Sequence, residues 1–84
     1  MKLTLDVENT TTKRDGKLHL DPFEPNNRLV MVGCLTDKGE EHLFRDNFDG
    51  VQELLDQATI LIGHNIAYDL MWIRECGFKY DGPV

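Results

Sequence analysis

Asp6 and Glu8 are the first residues of the chain that could do chemistry together. From Lys2 to Glu8 the sequence alternates strictly, Leu3, Leu5 and Val7 against Thr4, Asp6 and Glu8, which is the period of a half-buried strand. Residues two apart on a strand point to the same face, with Cα atoms about 6.7 Å apart. Carboxylates placed this way repel one another unless a positive charge lies between them. A divalent cation is the simplest such charge, because Mg²⁺ prefers carboxylate and water oxygens. A merely solvated acidic face would carry the same pair. With 15 Asp and Glu residues in the chain, one Asp-x-Glu is close to chance and needs support from elsewhere.

That support comes from Leu61-Ile62-Gly63-His64-Asn65-Ile66-Ala67-Tyr68-Asp69-Leu70. Asp69 stands about one turn into a helical pattern whose neighbours Ile66, Ala67, Leu70, Met71, Trp72 and Ile73 are almost all apolar. An acid among such neighbours is costly to bury unless it is paired or binds a metal. Two plainer accounts also hold: acids are favoured near a helix N-terminus, and Asn65 is a good N-cap. His64 reads as a structural or hydrogen-bonding residue rather than a general base.

The elements that must position these residues follow from periodicity. Asn9 to Asn27 holds Gly16, Pro22 and Pro25 and reads as a long connection with one short extended piece at Leu18 to Leu20. Arg28 to Thr36 is a nearly continuous apolar run, hence a buried strand. Asp37-Lys38-Gly39 makes a hairpin turn into a partner strand over Glu41 to Arg45. Val51, Leu54, Leu55 and Ala58 recur at helical spacing, with Asp49 as the expected N-cap. Ala58 to Ile62 is a short buried strand ended by Gly63. A helix starts at Asn65, buries Ile66, Leu70 and Ile73, and closes at Gly77. Phe78 to Val84 reads as the run-up to another strand.

The expected fold class is α/β: a mixed sheet in the order β-β-β-α-β-α, a three-stranded antiparallel meander extended by α/β units, all in one domain over residues 1–84. The fourth strand should pair parallel to the first across a right-handed crossover. The helix starting at Asn65 would then emerge beside the C-terminal end of the Asp6 strand, where ligands bind in such sheets. Asp6, Glu8 and Asp69 should converge there on one metal cluster.

On these residues the chain resembles the DEDD superfamily of 3′→5′ exonucleases, which have a ribonuclease H-like fold. LTLDVENT is similar to its first motif, Asp-x-Glu, and GHNIAYDLMWI to its second, Asn-x-x-x-Asp with an aromatic before the Asp. The stretch DPFEPNNRLVMVG between them is similar to the N-terminal proofreading domains of phage family A DNA polymerases. The resemblance covers nearly the whole chain, and its two motifs are specific as a pair.

The resemblance implies hydrolysis at the 3′ end of single-stranded DNA by two Mg²⁺ ions, with Mn²⁺ able to substitute. It implies that Asp6 bridges both ions, that Glu8 holds the nucleophile's ion and that Asp69 helps hold the second. Asn65 would position the substrate strand, with Leu5, Thr10 and Tyr68 around the terminal nucleotide. Two departures stand out. Asn9 follows Glu8 where the family often has Thr, and no third motif (Tyr-x-x-x-Asp or His-x-x-x-x-Asp) follows. Tyr80-Asp81 has the wrong spacing. The resemblance therefore implies a domain that stops before its fourth carboxylate. A polymerase domain or a second chain would complete it, or the chain would be an inactive interaction module requiring that partner.

Composition sets the outer limits. A hydrophobic fraction of 40% and a charged fraction of 29% fit a globular domain. A net charge of −6 argues against a protein that grips nucleic acid with a basic surface. It leaves room for one that acts through carboxylate-held cations. Cys34 and Cys76 lack metal-site or redox spacing and are expected to be buried, reduced thiols. The absence of a membrane-length apolar run or a signal-peptide core makes the expected location cytoplasmic, in the host cell if the chain is phage-encoded.

Overall fold

The computed structural model describes all 84 residues. Strand β1 (Lys2–Asn9) is central to a four-stranded sheet, with β4 (Leu29–Thr36) and then β5 (Glu41–Arg45) on one side and β6 (Ile60–Ile62) on the other. β1 runs antiparallel to β4, and β4 antiparallel to β5. β1 and β6 are parallel, in the register Lys2↔Ile60 to Thr4↔Ile62. The chain is thus an α/β protein with a mixed sheet, and the parallel pairing anticipated between the first strand and the strand before Gly63 is present.

Helices α1 (Val51–Gln57) and α2 (Ile66–Glu75) complete the fold. The strict alternation of β1 sends Leu3, Leu5 and Val7 into a core shared with Val32, Cys34, Leu61, Val51, Leu55, Leu70, Trp72, Ile73 and Tyr80. The opposite sheet face stays open: Leu35, Leu43 and Ile62 on it are 42%, 70% and 42% exposed. Along β5, Glu41, Leu43 and Arg45 take this open side while His42 and Phe44 turn inward, their rings stacked 6.5 Å apart.

Several local expectations need correction. Asp49 does not cap α1. Gly50 occupies the N-cap with φ 99° and no side-chain cap bond, and the Asp49 N–H instead donates to Asn47 Oδ1 at 2.8 Å. The short strand before Gly63 starts at Ile60 rather than Ala58. Cys34 is buried, but Cys76, the residue after the last turn of α2, is exposed. Burial pushes the Cys34 thiol up to about 11, so this thiol stays protonated and inert at neutral pH. Phe78 to Val84 forms no strand, although the Leu61 N–H on the outer edge of β6 donates to the Pro83 carbonyl at 3.0 Å.

The largest difference lies between Asn9 and Leu29, where a second, two-stranded sheet stands in place of a loop. β2 (Thr12–Arg14) pairs antiparallel with β3 (Lys17–His19). The turn between them has positive φ at both Asp15 (52°) and Gly16 (78°). This is the turn that matches the twist of two tightly joined strands, and Asp-Gly is its preferred dipeptide. The extended piece expected at Leu18 to Leu20 falls on β3, whereas β2 was hidden in a flank rich in Lys, Arg and Thr, with Asp15-Gly16 as the signal of the turn.

This excursion is fastened to α2. The Leu20 carbonyl accepts from Tyr68 Oη at 2.8 Å, Trp72 Nε1 at 3.2 Å and Asn9 Nδ2 at 3.1 Å. Trp72 is 2% exposed, so one side chain fills the core and donates outward through its ring N–H. Trp72→Phe keeps most of the buried volume and removes that donor. It should cost about 1–2 kcal/mol in denaturant unfolding and raise amide exchange over residues 10–28. Unchanged exchange there would show that Trp72 does not hold the excursion.

Candidate functional site

β6 pairs with β1 only as far as Thr4. Past that point the chain turns at Gly63 into α2, and the edge of β1 over Leu5 to Val7 meets the start of that helix. The approach is close: a methyl group at Gly63 would come within 3.0 Å of Leu5 O, 3.2 Å of Ile66 Cδ1 and 3.3 Å of Asp69 Oδ2. Glycine is needed here for space rather than for backbone conformation. Asp69, in the first turn of α2, is 5% exposed. Its own N–H donates to the Asn65 carbonyl at 3.1 Å.

No cation pairs with the Asp69 carboxylate, since the one ion pair of the chain is Arg14–Glu24. Burial, reinforced by the negative charge of Asp6, pushes the Asp69 carboxyl up to about 6, against the opposing pull of the Val7 backbone N–H. The charges of two carboxylates from separate elements thus act on one another at the edge of β1, one group buried and one exposed. Like charges acting on one another in this way raise the pKa of the more buried group unless a cation lies between them.

The other candidate residues fall into distinct groups. Glu8 is exposed on the same strand face as Asp6, opposite Met31 of β4. It lies beyond the stretch that Asp69 meets, and no three acidic, His or Cys side chains gather closely enough to hold an ion. Of the expected cluster, the negative charge of Asp6 acts on the Asp69 carboxyl, while Glu8 lies about 6.7 Å farther along an extended strand. Asn65 occupies the N-cap of α2 but makes no side-chain cap bond, and it is exposed. Its amide is therefore available to a ligand. His64 is exposed as well.

Leu5, Thr10 and Tyr68 are committed to the fold. The Leu5 side chain is 1% exposed in the core, leaving only its backbone toward Gly63. Thr10 Oγ1 accepts the Arg28 N–H at 2.8 Å, and the Thr10 N–H donates to the Arg28 carbonyl at 2.9 Å, closing the base of the excursion. Tyr68 Oη, besides its bond to Leu20, lies 2.8 Å from Asn9 Oδ1. Asn9, the residue after Glu8, is therefore part of the same anchor.

Compared with models of known protein families, with curated proteins and with solved structures, the chain matches none of them.

Asp69 sets a pH dependence whose sign can be worked out. Its carboxyl is raised in the folded chain from 3.8 to about 6, so folding favours the neutral acid. Stability is then full below about pH 4 and falls as pH rises through 6. Asp69→Asn stays neutral throughout. It should match the parent below pH 4 and exceed it above pH 7 by about 2–3 kcal/mol, measured by urea unfolding at each pH. A difference that does not change with pH would show that the carboxylate is solvated.

Proposed function

We propose that the chain is the N-terminal part of a 3′→5′ exonuclease domain of the DEDD, ribonuclease H-like kind. Its substrate would be the 3′ end of single-stranded DNA and its cofactor Mg²⁺, with Mn²⁺ able to replace it. The observation that carries this reading is the burial of Asp69 against the edge of β1 where β6 leaves it, with the charge of Asp6 acting on its carboxyl, since these are the acids of the two motif-like segments. The donor set suits the metal: Mg²⁺ is commonly held by one or two carboxylates and completes its shell with water and substrate phosphate.

Asp6 and Asp69 would hold one ion, and Asp6 with Glu8 the other. Bound in this way, the ions would supply a water of lowered pKa and a counter-charge for the departing 3′ oxygen. Asp69 must give up its proton to act as a ligand, so metal affinity should rise with pH through about 6. Asn65, with its amide free, would donate to the substrate strand. Tyr68 and Thr10 would act by fixing the excursion beside the site rather than by touching the nucleotide. The fourth carboxylate of the family's site has no counterpart among residues 1–84. A polymerase domain or a second polypeptide would bring it.

A second reading is favoured by the open sheet face, where Leu43 is 70% exposed. On it, the chain is an inactive interaction module that binds the polypeptide carrying the missing acid.

Both readings meet in one assay, with 3′-labelled single-stranded DNA, Mg²⁺ or Mn²⁺, and the chain or its Asp6→Ala variant. The enzyme reading expects metal-dependent loss of label from the parent only. Loss that occurs only after mixing with a polypeptide carrying the third motif supports the module. Equal loss from parent and variant removes Asp6 from the site. Silence under every condition, including the mixture, ends the exonuclease reading.

A further inference from the structure

β5 is the outermost strand of the sheet, with β4 on one side of it and no strand on the other. A strand at an edge carries a row of unpaired backbone groups, and native proteins ordinarily guard that row. Which groups are free here follows from the ladder. The Thr36 N–H donates to the Glu40 carbonyl at 2.9 Å, and the register continues through Cys34↔His42 and Val32↔Phe44. Bonding residues alternate in an antiparallel pair, so His42 and Phe44 point their backbone groups toward β4. Those of Glu41, Leu43 and Arg45 point away from it. Outside the sheet ladder only the Arg45 carbonyl among them is engaged, by the Asn47 N–H at 2.7 Å, and a carbonyl oxygen has a second lone pair.

The side chains of this edge are arranged symmetrically about Leu43. Glu41 stands two residues before it and Arg45 two after, and all three take the open face of the sheet. The two charges lie about 13 Å apart along the strand, too far to pair with one another. Neither meets an opposite charge elsewhere. The one ion pair of the chain is Arg14–Glu24, and Arg45 Nη2 has only Met31 Sδ, at 3.5 Å. Charges of one sign at both places would repel a second copy of the strand. Here the signs are opposite, at equal distances from the centre.

A second copy of β5, antiparallel across a two-fold axis at Leu43, meets every one of these groups. Leu43 faces Leu43, and Glu41 of each copy faces Arg45 of the other. Residues with outward backbone groups are then opposite one another, giving about six N–H···O bonds, two at each facing pair. On the other face, His42 lies opposite Phe44 of the second copy, where the same two rings already stack within one chain at 6.5 Å. Sliding the second strand by two residues either way sets Leu43 against a charged residue and loses both charge pairs. The sequence of the edge thus selects one register.

We propose that β5 is a self-association edge, through which two copies of the chain join antiparallel over Glu41–Arg45 into one continuous sheet with a two-fold axis at Leu43. Asp6 lies in the same cross-strand row as Leu43, through Gly33. The two Asp6 residues of the dimer therefore share the open face about 24 Å apart, which is five strand spacings. The pairing leaves the β1 edge beside Asp69 uncovered in both copies, and it stands whether or not the exonuclease reading does.

Sedimentation equilibrium of the full chain over a series of concentrations tests the edge. The parent should dimerise reversibly. Glu41→Arg sets arginine against arginine across the axis, and Arg45→Glu sets glutamate against glutamate. Each alone should raise the dimer dissociation constant about tenfold or more. Mixed in equal amounts, the two variants restore both charge pairs and should form a heterodimer as readily as the parent forms its dimer. Both side chains are exposed, so the variants should keep the parent's far-UV circular dichroism. A parent that stays monomeric at millimolar concentration overturns the proposal. So does a dimer that either single variant retains undiminished, or a failure of the two variants to associate when mixed.

Discussion

The arrangement of the site depends on one short pairing. β6 stays with β1 for three residues, from Lys2↔Ile60 to Thr4↔Ile62, and then leaves. Had it continued, its own backbone would have occupied the edge of β1 at Leu5 to Val7. Because it departs at Gly63, the first turn of α2 can bring a carboxylate against that edge. The missing side chain at Gly63 is what permits the approach, with Leu5 O, Ile66 Cδ1 and Asp69 Oδ2 all close to where a methyl would lie. Parallel pairing, early separation and a glycine at the corner together give Asp69 its position and its raised pKa.

The sheet was legible because its signals are periodic. β1 alternates so cleanly that its buried and exposed residues could be assigned without coordinates, and Leu3, Leu5 and Val7 are all buried. The apolar run of β4 and the Asp37-Lys38-Gly39 turn likewise predicted the meander. Less legible was everything held by side-chain to backbone bonds. Nothing in the sequence says that the Leu20 carbonyl will collect donors from Asn9, Tyr68 and Trp72. The composition of Thr12 to His19 favours solvent, so that beyond the extended piece at Leu18 to Leu20 only Asp15-Gly16 marked its hairpin.

The candidate site shows the same division. Asp69 stood out because an acid among apolar neighbours is unusual, and it is indeed buried. That the charge of Asp6 rather than of Glu8 would act on it depends on how far β6 follows β1, which periodicity does not encode. Tyr68 was notable in sequence for its place before Asp69. Its hydroxyl is taken up by Leu20 and Asn9, so an aromatic singled out as a substrate contact serves as an anchor bolt. Asn65 went the other way, having the identity of a cap but no cap bond.

The open sheet face has a thermodynamic consequence. The heat capacity released on unfolding comes mainly from apolar surface newly exposed to water. Leu35, Leu43 and Ile62 are already wet in the folded chain, and so add little to it. A sheet covered on one side only should therefore unfold with a smaller heat-capacity change than a fully layered domain of this length, and its stability should vary more gently with temperature. Covering that face with a partner would steepen the curve, so calorimetry could register the partner's arrival even where the fold itself did not move.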